Sequence, residues 1–215
     1  IASYTEATKA NPNNIEAYSK LINILWDLNN SKKVFELSSE AIKNNPNFIM
    51  GYLWISSVYV KDNKYDEAIN IINEAIDVNP KFSPSYNSLG LIYKSKKQYD
   101  LAITNFKSAL AVNPNYVQAI LNLGEIYMLK GDYETAEKVM LEATKLEPYN
   151  DAVYFALGNL YSESKNYEKC VQAFERAILI NPASLDSRNN LANVYMKQNN
   201  IDKDLWEDSL EYFRV

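Results

Sequence analysis

Six of the seven prolines of this chain stand thirty-four residues apart: Pro12, Pro46, Pro80, Pro114, Pro148 and Pro182. Asn precedes each of them except Pro148, which follows Glu147. A fixed period of this length marks a repeat array, and it constrains the fold more than any other feature. Each repeat of such an array is too small to bury its own apolar surface, so stacking has to supply the core.

Placing the proline at position 32 divides the chain into repeats 15–48, 49–82, 83–116, 117–150 and 151–184. Residues 1–14 then close an earlier repeat and 185–215 open a later one, so both ends are expected to cut the array within a repeat. In repeat 83–116, Tyr86, Leu89, Gly90 and Tyr93 fall on one helical face. Lys96, Lys97 and Gln98 interrupt that pattern. Tyr99, Ala102, Ile103, Phe106, Ala109 and Leu110 then carry a second helical period. Asn113-Pro114 ends it, because the residue before proline is pushed out of the α region. Each repeat is therefore predicted to be a helix–turn–helix hairpin, and the chain all-α.

Repeat 117–150 carries Leu123, Gly124, Tyr127, Gly131, Tyr133, Ala136, Ala143 and Pro148. Repeat 151–184 carries Tyr154, Leu157, Gly158, Tyr161, Tyr167, Phe174, Ala177 and Pro182. This spacing resembles the tetratricopeptide repeat (TPR) family, with its Trp, Leu-Gly, Tyr, Ala, Phe and Pro pattern. The resemblance covers essentially the whole chain. It implies a single right-handed superhelical solenoid of antiparallel helix pairs over residues 1–215.

The register makes further expectations. Small residues recur at position 20 (Ala68, Ala102, Ala136, Cys170) and position 27 (Ala41, Ala75, Ala109, Ala143, Ala177), where helices should cross closely. Cys170 reads as a packed core thiol. Position 10 is apolar throughout (Ile24, Val58, Ile92, Ile126, Leu160, Val194) and is expected to touch the preceding repeat. Position 3 is small (Ala17, Gly51, Ser85, Ala119, Ser187) except for Val153. The 17 tyrosines fall mostly at positions 4, 11 and 17 and read as core. The first repeat matches least well, with Ser31 and Ser38 at positions that are aromatic or apolar elsewhere. In the last repeat an insertion of five residues near Asn199–Asp204 restores the spacing of Trp206, Ser209, Leu210 and Phe213.

Composition excludes several classes of function. The 22 basic residues are outnumbered by 27 acidic ones, so the clustered cations that nucleic acid requires are not expected. No apolar run approaches the roughly 20 residues needed to span a bilayer. The lone cysteine forbids an internal disulfide, in keeping with a reducing, cytoplasmic setting. The chain lacks His, and with it the commonest general base and metal ligand. No Gly-rich phosphate loop or nucleophile–base pair stands out. The chain reads as non-enzymatic, with no cofactor and no metal.

In the TPR family the groove lies on the first helices, at positions opposite their internal packing face. Here those positions supply the candidate partner-binding residues Asn23, Trp26, Leu53, Trp54, Lys61, Asn87, Leu91, Lys94, Leu121, Asn122, Glu125, Met128, Phe155, Asn159, Asn190 and Asn193. Trp, Leu, Met and Phe on an open face mark an interaction surface. Asn offers both donor and acceptor to a peptide backbone. The resemblance also permits a test of the carboxylate clamp of co-chaperone TPR proteins, which needs cations at fixed places. Position 5 is Ser19, Leu53, Asn87, Leu121, Phe155 and Asn189, never Lys, so the clamp and its chaperone tails are not expected. The expected function is a scaffold that holds a peptide or helix of a partner protein. Two alternatives stay open: a substrate-recognition arm of a larger enzyme such as a glycosyltransferase, and a self-assembling structural element.

Overall fold

The structure, a computed structural model, describes residues 2–197. The proposed insertion and the residues after it lie outside this range. The described residues form twelve α-helices and no strand, an array of helical repeats. Helix α1 is Ala2–Ala10. The hairpins that follow are α2 (Ile15–Asp27) with α3 (Ser31–Asn44), α4 (Ile49–Lys61) with α5 (Tyr65–Val78), and α6 (Ser83–Ser95) with α7 (Tyr99–Val112). Then come α8 (Val117–Leu129) with α9 (Tyr133–Leu146), α10 (Asp151–Glu163) with α11 (Tyr167–Ile180), and α12 (Leu185–Lys197). Every first helix spans positions 1–13 and every complete second helix positions 17–30. By their contacts the described residues divide into two compact units, one up to residue 114 and one from residue 115 on.

Two turn devices account for this regularity. Inside each hairpin, position 15 adopts the left-handed conformation: Asn29, Asn63, Lys97, Gly131 and Lys165 have φ of 59°, 58°, 57°, 80° and 59°. The N–H of position 16 then returns to the carbonyl of position 11, as from Asn30 to Leu25 and from Asn166 to Tyr161. This satisfies carbonyls that the end of a helix leaves open. Between hairpins, the Asn before proline accepts a hydrogen bond from the N–H two residues on. Asn11, Asn45 and Asn79 do so at 3.0 Å and Asn181 at 3.2 Å. Proline occupies the intervening place, where no donor is needed. Glu147 instead pairs with the side chain of Asn150. The next first helix reaches back as well, with the hydroxyls of Tyr86 and Tyr154 donating to the carbonyls of Pro80 and Pro148 at 3.1 Å.

Packing within a hairpin is set by positions 8 and 24. A Cβ added to Gly90 would lie 2.6 Å from the Phe106 ring, one on Gly124 2.5 Å from Met140, and one on Gly158 2.5 Å from Phe174. The second repeat has Ser56 and Ile72 at these positions, and the first has Ile22 and Ser38. Large and small have exchanged sides in the first repeat. This explains why Ser38, anomalous in the sequence, sits fully buried without disturbing the helix bounds.

Positions 20 and 27 are buried throughout, including Cys170. Its thiol donates to the Gly158 carbonyl at 3.3 Å, and burial pushes its pKa up to about 11. Cys170 is a core thiol. Position 10 reaches the preceding repeat in the N-terminal unit: Val58 joins the cluster of Leu21, Ile22 and Val34, and Ile92 joins Ala68 and Ile72. A Cβ on Gly51 would meet Ile42 of the preceding hairpin at 2.9 Å, which shows why position 3 is small there. The tyrosine expectation needs correction. Tyr18, Tyr52 and Tyr161 are buried, but most others at positions 4, 11 and 17 are half-buried. Their rings pack while their hydroxyls seek partners at the surface.

Candidate functional site

In the N-terminal unit the candidate residues come from α2, α4 and α6. Trp26 and Trp54 are half-buried against the first core cluster and against each other, with ring centroids 5.3 Å apart. The Lys61 ammonium lies 5.4 Å from the Trp26 ring and donates to the Asn29 side chain. The aromatic pair is thus largely occupied by its own neighbours. Leu53 is half-buried against Ile49, Tyr52 and Ala75, and Lys94 is also half-buried. Asn23, Lys61 and Leu91 are exposed.

Three candidates do not stand open. Asn87 is 5% exposed, Leu121 9% and Asn122 6%. For Leu121 and Asn122 the reason lies in α8, whose buried residues run Val117, Ala119, Ile120, Leu121, Asn122, Leu123, Gly124 and Ile126. Burial round so much of α8 narrows its open face to residues such as Gln118 and Leu129. Asn122 also accepts from the Gln118 amide at 3.2 Å, so part of its capacity is used inside α8.

In the C-terminal unit the candidates converge. Met128 of α8, Asn159 of α10, and Asn190 and Asn193 of α12 line one pocket of about 620 Å³. Leu129, Tyr133, Ser162, Glu163, Phe174, Val194 and Lys197 complete it. The floor is apolar: Phe174 and Val194 are buried, and Leu129 is 47% exposed at the rim. The wall is amide-rich. The Asn190 amide donates to the Asn159 carbonyl oxygen at 3.0 Å, which orients both side chains and leaves further donors and acceptors on each. Glu163 and Lys197 put one charge of each sign at the pocket, so it favours neither polyanion nor polycation. Phe155 stands aside, half-buried, its ring centroid 5.9 Å from that of Phe174. Glu125 is half-buried and does not line the pocket.

Sequence reasoning missed Tyr133, Phe174 and Val194, because positions 17, 24 and 10 read as core. Two of them are core, and they reach the pocket from below. The signal was Gly158: a glycine opposite Phe174 lets the ring lie against the inner helix.

Two further properties bear on chemistry and setting. Among the described residues no group of three or more His, Cys, Asp or Glu side chains could hold a metal ion. No helix among them is long and apolar enough to cross a membrane.

Comparison with known proteins agrees with this architecture. Models described as tetratricopeptide repeat match residues 51–82, 71–104, 117–150 and 152–184, and one described as TPR repeat matches 90–131. Together the matches run from residue 51 to 184, well over half of the chain. No curated protein sequence matches. Among solved structures, a thermophilic TPR protein of Thermus thermophilus is similar at 22% identity and a TM-score of 0.73, over 85% of this chain and 99% of that one. Cut9–Hcn1, from the APC/C hetero-tetramer, is similar at 18% identity and a TM-score of 0.74, over 91% of this chain and 39% of that one. YrrB, a TPR protein with an unusual peptide-binding site, is similar at 21% identity and a TM-score of 0.55, over 86% of this chain and 95% of that one. At such identities the likeness is one of fold. With thirty-four-residue hairpins, the signature residues in register and the family models matched along the array, this chain belongs to the tetratricopeptide repeat family.

Proposed function

We propose that the chain is a non-enzymatic scaffold that holds a peptide segment of a partner protein in the pocket between α8, α10 and α12. The observation that carries this reading is the composition of that pocket: an apolar lining of Met128, Leu129, Phe174 and Val194 beside a wall of Asn159, Asn190 and Asn193. An apolar floor takes a side chain, and amides take the backbone groups on either side of it. TPR proteins bind protein or peptide partners, and YrrB is described as having a peptide-binding site, so the reading is in keeping with the family. The near-balanced charge argues against nucleic acid or a strongly acidic tail as the occupant.

The test is selection of random dodecapeptides on the immobilised 215-residue chain, followed by fluorescence anisotropy. Leu129→Lys, and separately Asn159→Ala with Asn193→Ala, should weaken pocket-bound peptides roughly tenfold, equivalent to about 1.4 kcal/mol. The melting curve should stay unchanged, since these side chains are exposed or half-buried. If every selected peptide binds both variants as tightly as the parent chain, the pocket is not the site.

A further inference from the structure

The five hairpins serve as internal controls for one another at solvent-exposed positions, and where the fourth leads into the fifth the control fails. Position 26 is Glu40, Glu74, Ser108 and Glu142 in the first four repeats but Arg176 in the fifth. Position 29 is Lys43, Asp77, Ala111 and Lys145 but then Leu179. Position 33, in the turn leading to the next repeat, is Asn13, Asn47, Lys81, Asn115 and Ala183, but Tyr149 in the turn from the fourth repeat to the fifth. Folding makes no demand for these exceptions, because the same backbone forms elsewhere with polar or small residues. Yet Leu179 is 70% exposed and Tyr149 79% exposed.

The exceptions also meet in space. The Arg176 guanidinium lies 6.0 Å from the Tyr149 ring centroid and 5.6 Å from that of Tyr154. Tyr154 is itself held by its hydroxyl bond to Pro148. Leu179 is one turn beyond Arg176 on α11, on the same face. The acids closest in sequence to Tyr149 are engaged elsewhere, Glu147 with Asn150 and Asp151 with Asn181. Among the described residues Arg176 touches two rings and no carboxylate. A guanidinium stacked on aromatic faces is pre-organised, and its planar edge remains available to grip two carboxylate oxygens at once.

We infer that Tyr149, Arg176 and Leu179 form a second docking surface, separate from the pocket, for a partner segment that pairs a carboxylate with a neighbouring large apolar side chain. The carboxylate takes the edge of Arg176, and the apolar group covers Leu179 and Tyr149. Tyr and Arg are among the residues that dominate binding at interfaces, and the aromatic stack would exclude water from the ion pair.

The chain itself supplies the control substitutions. Arg176→Glu, Leu179→Lys and Tyr149→Asn each install a residue that other repeats carry at that position, so the melting curve should not move. Random dodecapeptides selected on the 215-residue chain are measured against the parent, Arg176→Glu with Leu179→Lys, and the pocket variant Leu129→Lys. The expected result is a class of peptides with Asp or Glu close to Leu, Ile or Phe. These should lose roughly tenfold or more in affinity on the edge variant and nothing on the pocket variant. For the same class Arg176→Lys should restore only part of the binding. The inference is overturned if no peptide depends on the edge residues, or if the edge-dependent peptides lack a carboxylate. It is also overturned if sedimentation shows a dimer that Arg176→Glu with Leu179→Lys dissolves, since the surface then belongs to a second copy. Peptides sensitive only to Leu129→Lys would support the pocket and remove the edge.

Discussion

In the first repeat the buried pair between the two helices is Ile22 with Ser38; in the fifth it is Gly158 with Phe174. The helix bounds are nonetheless at the same positions. What the hairpin requires is therefore a combined volume at the crossing, with either side free to supply it. The choice of side has consequences on the open face. Phe174 lies against the inner helix and floors a pocket beside Asn159 and Glu163. In the first repeat Ser38 offers no such floor, and Trp26 packs on Trp54 under Lys61. Polar ties differ too. Tyr18 donates at 2.9 Å to Glu40 of its own hairpin, whereas Tyr161 donates at 2.8 Å to Glu137 of the preceding one.

The strongest way to break this comparison is Gly158→Ile. Its Cβ would sit 2.5 Å from the Phe174 ring, so the loss should reach about 2–3 kcal/mol, read as a lower urea midpoint. Adding Phe174→Ser recreates the pair of the first repeat and should recover a large part of that loss. If the double variant is no more stable than the single one, volume exchange is not what permits the swap.

A smaller effect, of opposite sign, is expected at Ser38. Its hydroxyl oxygen is buried without a hydrogen-bond partner. Ser38→Ala removes that unpaired group and should stabilise the N-terminal unit by about 1 kcal/mol in thermal unfolding. A clear loss of stability would show that the hydroxyl contributes favourably where it is.

The smallest effect concerns the tie between the fourth and fifth repeats. Glu137 accepts from Lys169 at 2.7 Å and from Tyr161, and these hydrogen bonds, led by Lys169, hold its pKa below the ordinary glutamate value. A depressed carboxylate pKa contributes stability that is full above the unfolded value of about 4.3 and is lost as pH falls through the folded value. The melting temperature should therefore fall on acidification, and more gently in Glu137→Gln. Because the Lys169–Glu137 pair is partly exposed, the difference should be small. Identical acid slopes for the two proteins would assign no role to this tie.

Much of the fold was legible because its causes are local. The Asn-Pro period could be read directly, and the Asn side chain that closes the turn over proline explains why the pair recurs. The series at positions 3, 10, 20 and 27 were legible because close crossings allow few residue types. The candidate site was legible only in part. Met128, Asn159, Asn190 and Asn193 were named from the register, and all four line the pocket. Asn87, Leu121 and Asn122 were named by the same rule and are buried, because exposure depends on neighbours that one helical face does not reveal. Phe174 was hidden for the converse reason, since one ring can fill a core and floor a pocket together.

The sequence by itself determined the hairpin, its period and its register. Each of these follows from residue type at a fixed spacing along one chain. Tertiary structure decided which open positions stay open, which glycine makes room for which ring, and that Arg176 lies against the rings of Tyr149 and Tyr154. Those outcomes depend on side chains brought together from different helices and turns, and distance in space is not written in the spacing of any one of them.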